Sequence, residues 1–210
     1  MIALAPWKLS GCGFVIMLRR SALEYEDGRP LEGHGRVTYL LCMHYETSGV
    51  GPYREVLLIP GRSELLRPTY TISRILVDSG DSLESGRANW GIPKYLGELD
   101  WRQEGRHMEL TTQVGDSEDV EAGFHGHAAV RTVGPSVPFN TRPIPIAFLH
   151  TLDDKTFRIY PSASGWSSLA KVESLDMDGF GGVRTFPKEA VISAFAVSRF
   201  SMRFPTARIT

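Results

Sequence analysis

Glycine and proline, 21 and 13 residues spread along all 210 positions, constrain this chain more than any other feature. A helix interior loses about 1 kcal/mol at each glycine and about 3 kcal/mol at each proline. A chain interrupted this often cannot sustain long helices. The segments left between turn signals are short and rich in Val, Ile, Tyr, Phe and Thr, residues that suit a pleated, half-buried surface. Strands are expected over residues 13–18, 36–44, 55–60, 69–77, 108–114, 128–133, 147–149, 157–160, 171–175 and 194–203. One short helix is expected over 81–90, capped by Asp81 or Ser82 and closed by Gly91. The pattern predicts one mostly-β domain over residues 1–210, antiparallel with short connections and few short helices.

Bulk properties exclude several function classes. Hydrophobic residues at 42% suffice for a core, and a net charge of -1 gives no pull toward nucleic acid or an anionic membrane. No run approaches the roughly 18 apolar residues that cross a bilayer. Residues 1–8 place no basic segment before an apolar run, so no signal peptide is expected and the cytoplasm is the expected location. Cys12 and Cys42 lie in apolar contexts and are expected as buried free thiols, with a single disulfide the alternative. The acidic stretch 116–121 reads as a solvated hairpin loop. His125 and His127, two apart, share a face in a strand, but no third ligand accompanies them, so no metal is expected. Gly179 to Gly182 lacks the Lys-Ser/Thr of a phosphate loop, and no Gly-x-Ser-x-Gly elbow occurs.

The segment that carries chemistry is Gly86-Arg87-Ala88-Asn89-Trp90-Gly91-Ile92-Pro93-Lys94-Tyr95. Cationic residues number 5 Lys against 18 Arg, and Lys94 is the one lysine between Lys8 and Lys155. Its neighbours Trp90, Ile92, Pro93, Tyr95 and Leu96 are apolar, and Pro93 stiffens the backbone just before it. An amine held in a dry pocket loses its preference for the charged form, and the neutral amine is a nucleophile toward ketones and aldehydes.

This segment resembles the Gly-Arg-x-x-x-x-x-Pro-Lys motif at the Schiff-base lysine of the acetoacetate decarboxylase-like superfamily. A second block, Thr47-Ser48-Gly49-Val50-Gly51-Pro52-Tyr53-Arg54-Glu55, resembles the family's Thr-Ser-Gly-x-Gly-x-Tyr-x-Glu stretch, whose glutamate is an active-site carboxylate. Glu55 lies 39 residues before Lys94, an interval similar to the family's. Pro6-Trp7-Lys8-Leu9 is a weaker third match. The resemblance implies antiparallel sheets curled into a barrel or cone around a cavity, a homo-oligomer, no cofactor, and a small-molecule carbonyl substrate. It implies Lys94 and Glu55 as catalytic residues and Trp90, Tyr53, Tyr95, Cys12 and Leu40 as pocket residues. The implied activity is that of a Schiff-base lyase acting on a small keto acid or related carbonyl compound, by decarboxylation or by aldol and dehydration chemistry. The alternative is a non-catalytic barrel binding an apolar small molecule.

The departures bear on substrate. The family's N-terminal arginine falls at Cys12 and a second family carboxylate at Leu40, so acetoacetate is expected to be a poor substrate. Arg19, Arg20 and Arg54 are the candidates to replace the arginine.

Overall fold

The computed structural model describes residues 2–64, 68–113, 124–144 and 146–210. In chain order the strands are β1 (Trp7–Arg19), β2 (Glu24–Tyr25), β3 (Val37–Thr47), β4 (Tyr53–Ile59), β5 (Thr69–Tyr70), β6 (Arg74–Val77), β7 (Lys94–Leu96), β8 (Glu98–Glu104), β9 (His107–Gln113) and β10 (His125–Thr132). There follow β11 (Val137–Asn140), β12 (Ala147–Leu152), β13 (Lys155–Ile159), β14 (Ser162–Asp176), β15 (Val183–Thr185), β16 (Val191–Phe204) and β17 (Arg208–Ile209). Among the described residues one α-helix, α1 (Gly80–Trp90), stands between β6 and β7.

The main sheet runs β7-β6-β4-β3-β1-β16-β14-β10-β9-β8, with β11 added to β14. Every pairing in it is antiparallel except β6 with β7. Its two ends, β7 and β8, are consecutive in sequence and separated by Gly97 alone, so the sheet curls into a nearly closed barrel. A second sheet, β17-β13-β12-β5, packs against it, and β2 pairs with β15.

Strand alternation divides the buried residues into two layers. Phe14, Ile16 and Leu18 of β1, Leu40 and Cys42 of β3, Val56 and Leu58 of β4 and Leu110 of β9 form one cluster. That cluster draws on strands from both ends of the sheet, so it is the filled inside of the barrel. The opposite face carries Trp7 and Leu9 of β1, Met43 and Tyr45 of β3, Tyr53 and Leu57 of β4, and Ile75 and Val77 of β6. This outer layer is closed by Trp90 of α1 and Ile159 of β13.

Strand β16 contributes to both layers through a bulge. Ala194 and Ala196 face the inside, whereas Phe200 belongs to the outer layer with Met202 and Phe204 packed on it. Between them the register with β1 and with β14 shifts, because Val197 pairs with Gly13 and Ser167, while Phe200 pairs with Gly11 and Arg199 with Trp166. The extra residue reverses the facing of every side chain beyond it.

Each of the ten expected strands falls on an observed one, with two adjustments. Residues 69–77 split into β5 and β6, and Val114, the end of the 108–114 reading, lies outside the described residues, as does the acidic stretch 116–121. The sequence reading omitted β8, whose Glu98, Asp100, Arg102 and Glu104 look like loop. Pairing with β9 and burial of Leu99 decide that segment. The helix is capped by Ser79, not by Asp81 or Ser82: the Ser79 hydroxyl accepts from the Ser82 amide at 3.2 Å from an extended backbone. Gly91 closes it in the left-handed conformation, φ 62°.

No helix among the described residues is long and apolar enough to cross a membrane. Both cysteines are free and buried. His127 donates to or accepts from Ser174 at 3.0 Å, and no group among the described residues could hold a metal ion.

His150, on β12, is buried and stacks on Phe148, with ring centroids 6.4 Å apart. Burial alone holds its pKa down at about 4. The unfolded chain therefore takes up a proton near pH 6.5 that the folded chain refuses until about pH 4. Its contribution to stability is complete above pH 6.5 and is lost as pH falls through that window. Urea unfolding at pH 7 and pH 4.5 should show that wild type loses roughly 2–3 kcal/mol more than His150→Phe over this interval. Equal losses would show that His150 is hydrated or paired in solution.

Candidate active site

Lys94 is 3% exposed and Glu55 4% exposed, a degree of burial that charged side chains reach only when partnered. They approach from strands on either side of β6. Glu55 pairs with Val77 of β6, and Lys94 with Ile75. Ile75, Val77, Glu55 and Lys94 all present the outer face of the barrel wall.

The lysine motif works as a clip. Gly86 of α1 leaves room for the Lys94 side chain, since a Cβ there would lie 2.8 Å from both its Cδ and Cε. Arg87 donates through Nε and Nη2 to the Lys94 carbonyl at 3.1 and 2.7 Å, tying the helix to β7. Gly91 supplies the left-handed turn, and a side chain there would strike the Phe157 ring. The second motif is the β3–β4 hairpin. Ser48 Oγ donates to the Gly51 carbonyl at 2.5 Å and accepts from the Val50 amide at 3.1 Å. Gly49 lies against the Trp7 indole so closely that a Cβ would come within 2.5 Å of its Nε1. This turn sets the register that places Tyr45 opposite Tyr53 and Met43 opposite Glu55.

The Lys94 amine donates to Ser82 Oγ at 2.8 Å and lies 3.5 Å from Glu55 Oε2. The Tyr53 ring centroid is 5.0 Å from the amine. Tyr45 donates its hydroxyl to Glu55 Oε1 at 2.7 Å. Burial pushes the Lys94 pKa below the ordinary lysine value, with Glu55 pulling it back part of the way. Burial and the neighbouring Glu55 hold both Tyr45 and Tyr53 far above the usual phenol range, so both stay protonated donors.

The pair opens onto a cavity of about 270 Å³ between the barrel wall and the second sheet. Leu41, Met43, Leu57 and Ile59 line it from the wall, Trp90 from the helix, Ile146 and Phe148 from the β12 side, and Met202 and Phe204 from β16. Of the residues singled out in the sequence, Lys94, Glu55, Tyr53 and Trp90 line this cavity together.

Three do not, and alternation is the reason. Tyr95 follows Lys94 and so points to the barrel's inside, where Arg74 sits 4.5 Å over its ring. Leu40 also faces inside, and its neighbour Leu41 takes the place in the cavity wall. Cys12 sits at an even position of β1, with Phe14, and donates to Gln103 of β8 at 3.3 Å. Burial, with Glu46 beside it, raises its thiol pKa to about 11. None of the three replacement arginines reaches the cavity lining. Arg54 pairs with Asp78 at 2.8 Å, Arg20 donates to the Leu31 and Gly33 carbonyls, and Arg19 is exposed at the end of β1. The sequence reading missed Ser82 and Tyr45 as partners of the pair. Tyr45 precedes Tyr53 across the hairpin and was legible in principle from that turn, but Ser82 depends on how α1 docks.

A curled antiparallel sheet with a buried lysine–glutamate pair opening onto an apolar cavity defines a barrel protein organised around a desolvated amine. The model of the family described as acetoacetate decarboxylase (ADC) matches residues 24–169, well over half the chain, and the chain belongs to that family. No protein of curated function matches it by sequence. Solved structures share the fold at low identity. Acetoacetate decarboxylase from Legionella pneumophila subsp. pneumophila str. Philadelphia 1 superposes with a TM-score of 0.65 at 14% identity, over 99% of this chain and 88% of that one. The enduracididine biosynthesis enzyme MppR complexed with pyruvate gives 0.64 at 13% identity, over 100% and 91%. An acetoacetate decarboxylase-like enzyme from Sphingomonas wittichii RW1 gives 0.60 at 13% identity, over 98% and 93%.

The clip makes a sharp prediction. Gly86→Ala should leave the fold intact, because alanine favours a helix interior by about 1 kcal/mol over glycine, yet it should displace the Lys94 side chain. Reductive labelling of Lys94 by a small aldehyde should then fall by about a hundredfold, the scale of a 1 Å misplacement. Unchanged labelling in a folded variant would show that the amine does not depend on this clearance.

Proposed function

We propose that this protein is a Schiff-base-forming enzyme whose Lys94 amine condenses with a carbonyl compound bound in the cavity. The observation that carries this reading is the Lys94 amine itself, buried at the cavity wall with Ser82 and Glu55 within reach. Passing the ammonium proton to Glu55 leaves a neutral nucleophile and no net charge in an apolar site. Nζ attacks the carbonyl carbon, the C–N bond forms, and the oxygen takes one proton from the amine. The proton held on Glu55 then goes to that hydroxyl, which leaves as water, giving an iminium beside a Glu55 carboxylate.

The iminium accepts the electron pair released when an adjacent C–C bond breaks or an α-proton departs. Decarboxylation, aldol cleavage or condensation, and dehydration all draw on that one intermediate. Tyr45 stays protonated and holds Glu55 in place through its hydroxyl. One structural relative, MppR, forms a complex with the condensation product of pyruvate and imidazole 4-carboxaldehyde, which supports condensation chemistry on this fold.

Borohydride trapping with a panel of carbonyl compounds tests the reading. Mass should be gained at Lys94 and vanish in Lys94→Ala. The trapping rate should rise with pH and level off below the ordinary lysine range, because burial lowers this amine's pKa. Label confined to Lys8, Lys155, Lys171 or Lys188, with none at Lys94, would overturn it.

A further inference from the structure

We infer that the Lys94 cavity takes a neutral, apolar ketone or aldehyde, and discriminates against keto acids. The inference rests on the reading of Lys94 as the condensing amine and adds the class of its substrate.

Among the described residues lining the cavity, Lys94 is the one cation and Glu55 the one anion. A keto acid placed with its carbonyl at Nζ would set its own carboxylate within the same dry space as Glu55, with no arginine among the described lining residues to receive it. Anionic substrates need such a partner, since a carboxylate taken from water without hydrogen-bond donors or a counter-charge is strongly disfavoured.

Four of the neutral donors around the cavity are already engaged. The Trp7 indole donates to the Ala3 carbonyl at 3.2 Å and the Trp90 indole to the Pro205 carbonyl at 2.7 Å. Tyr45 donates to Glu55 at 2.7 Å, and Thr141 Oγ1 to the Ala163 carbonyl at 3.3 Å. Redirecting any of them to a substrate carboxylate would break a buried bond.

The remaining walls are aliphatic and aromatic apart from Ser162, so apolar substrate atoms gain from burial there. Size agrees as well. A cavity of roughly 150 Å³ holds a benzene ring, so about 270 Å³ admits a ring with a short chain carrying the carbonyl.

A neutral ketone has no carboxylate to shed as CO2. Its iminium discharges by giving an α-proton to Glu55, which leaves an enamine on Lys94. The enamine's electron pair forms a C–C bond to the carbonyl carbon of a second aldehyde, whose oxygen takes the proton back from Glu55. Water then cleaves the C–N bond and restores the amine. The substrate class thus points to aldol-type chemistry, with dehydration following from the same iminium.

A matched pair of probes tests this: 4-phenylbutan-2-one and 2-oxo-4-phenylbutanoate, which differ in a methyl against a carboxylate. Trp7 and Trp90 line the cavity with ring centroids 4.9 Å apart and report occupancy by fluorescence. The ketone should bind about tenfold tighter or more than the keto acid, in wild type and in Lys94→Met, where binding is non-covalent. Glu55→Gln removes the repelling charge and should narrow the gap. Equal or tighter binding of the keto acid, a gap unchanged in Glu55→Gln, or no binding of the ketone overturns the inference. Tighter ketone binding without trapping at Lys94 would instead sink the Schiff-base reading and leave the ligand class standing.

Discussion

An amine taken out of water loses the solvation that keeps it charged, and the surrounding protein must replace that solvation or accept the neutral form. At Lys94 the replacement is minimal: one serine hydroxyl at 2.8 Å and one carboxylate at 3.5 Å, in a wall built mostly of aliphatic and aromatic side chains. Much of the local architecture follows from holding that arrangement. Gly86 gives the lysine stem its passage, Arg87 fixes its carbonyl, and Tyr45 steadies the glutamate from the neighbouring strand.

The barrel makes this possible by separating two tasks between the faces of one sheet. The inside is packed solid by Phe14, Ile16, Leu18, Leu40, Leu58 and Leu110, which supplies stability. The outer face of β1, β3, β4 and β6, with the far half of β16, is left to shape the cavity. The bulge in β16 serves that division, because without its extra residue Phe200, Met202 and Phe204 would point into an interior that is already full. The second sheet and α1 then complete the cavity from the other side.

Membership of the acetoacetate decarboxylase family fixes the scaffold, while the cavity lining bears on what the scaffold holds. The lysine and its glutamate sit where the two motifs lead, but the cationic group that a carboxylate substrate requires does not line this cavity among the described residues. An amine depressed by desolvation needs no neighbouring cation to become neutral. A desolvated amine and an anion-binding group are therefore separable, and a chain can keep the first without the second in its cavity lining.

Much of this was legible in the sequence because it is local. Breaker spacing and β-rich segments specify strands, and the two motifs are short-range devices. One is a hairpin turn that sets Glu55 in register, the other a helix end, proline and glycine that present Lys94. Which residues share a face was also partly written there. Period-two alternation separates Lys94 from Tyr95 and Leu41 from Leu40, and reading motif neighbours as pocket neighbours overlooked it. Tertiary structure alone decided the rest. Ser82 meets Lys94 because α1 docks beside β7, β8 is a strand because β9 pairs with it, and Phe148, Met202 and Phe204 reach the cavity from more than fifty residues away in sequence. Such contacts depend on sheet closure and on a bulge whose position no local pattern marks, so they exist only once the chain has folded.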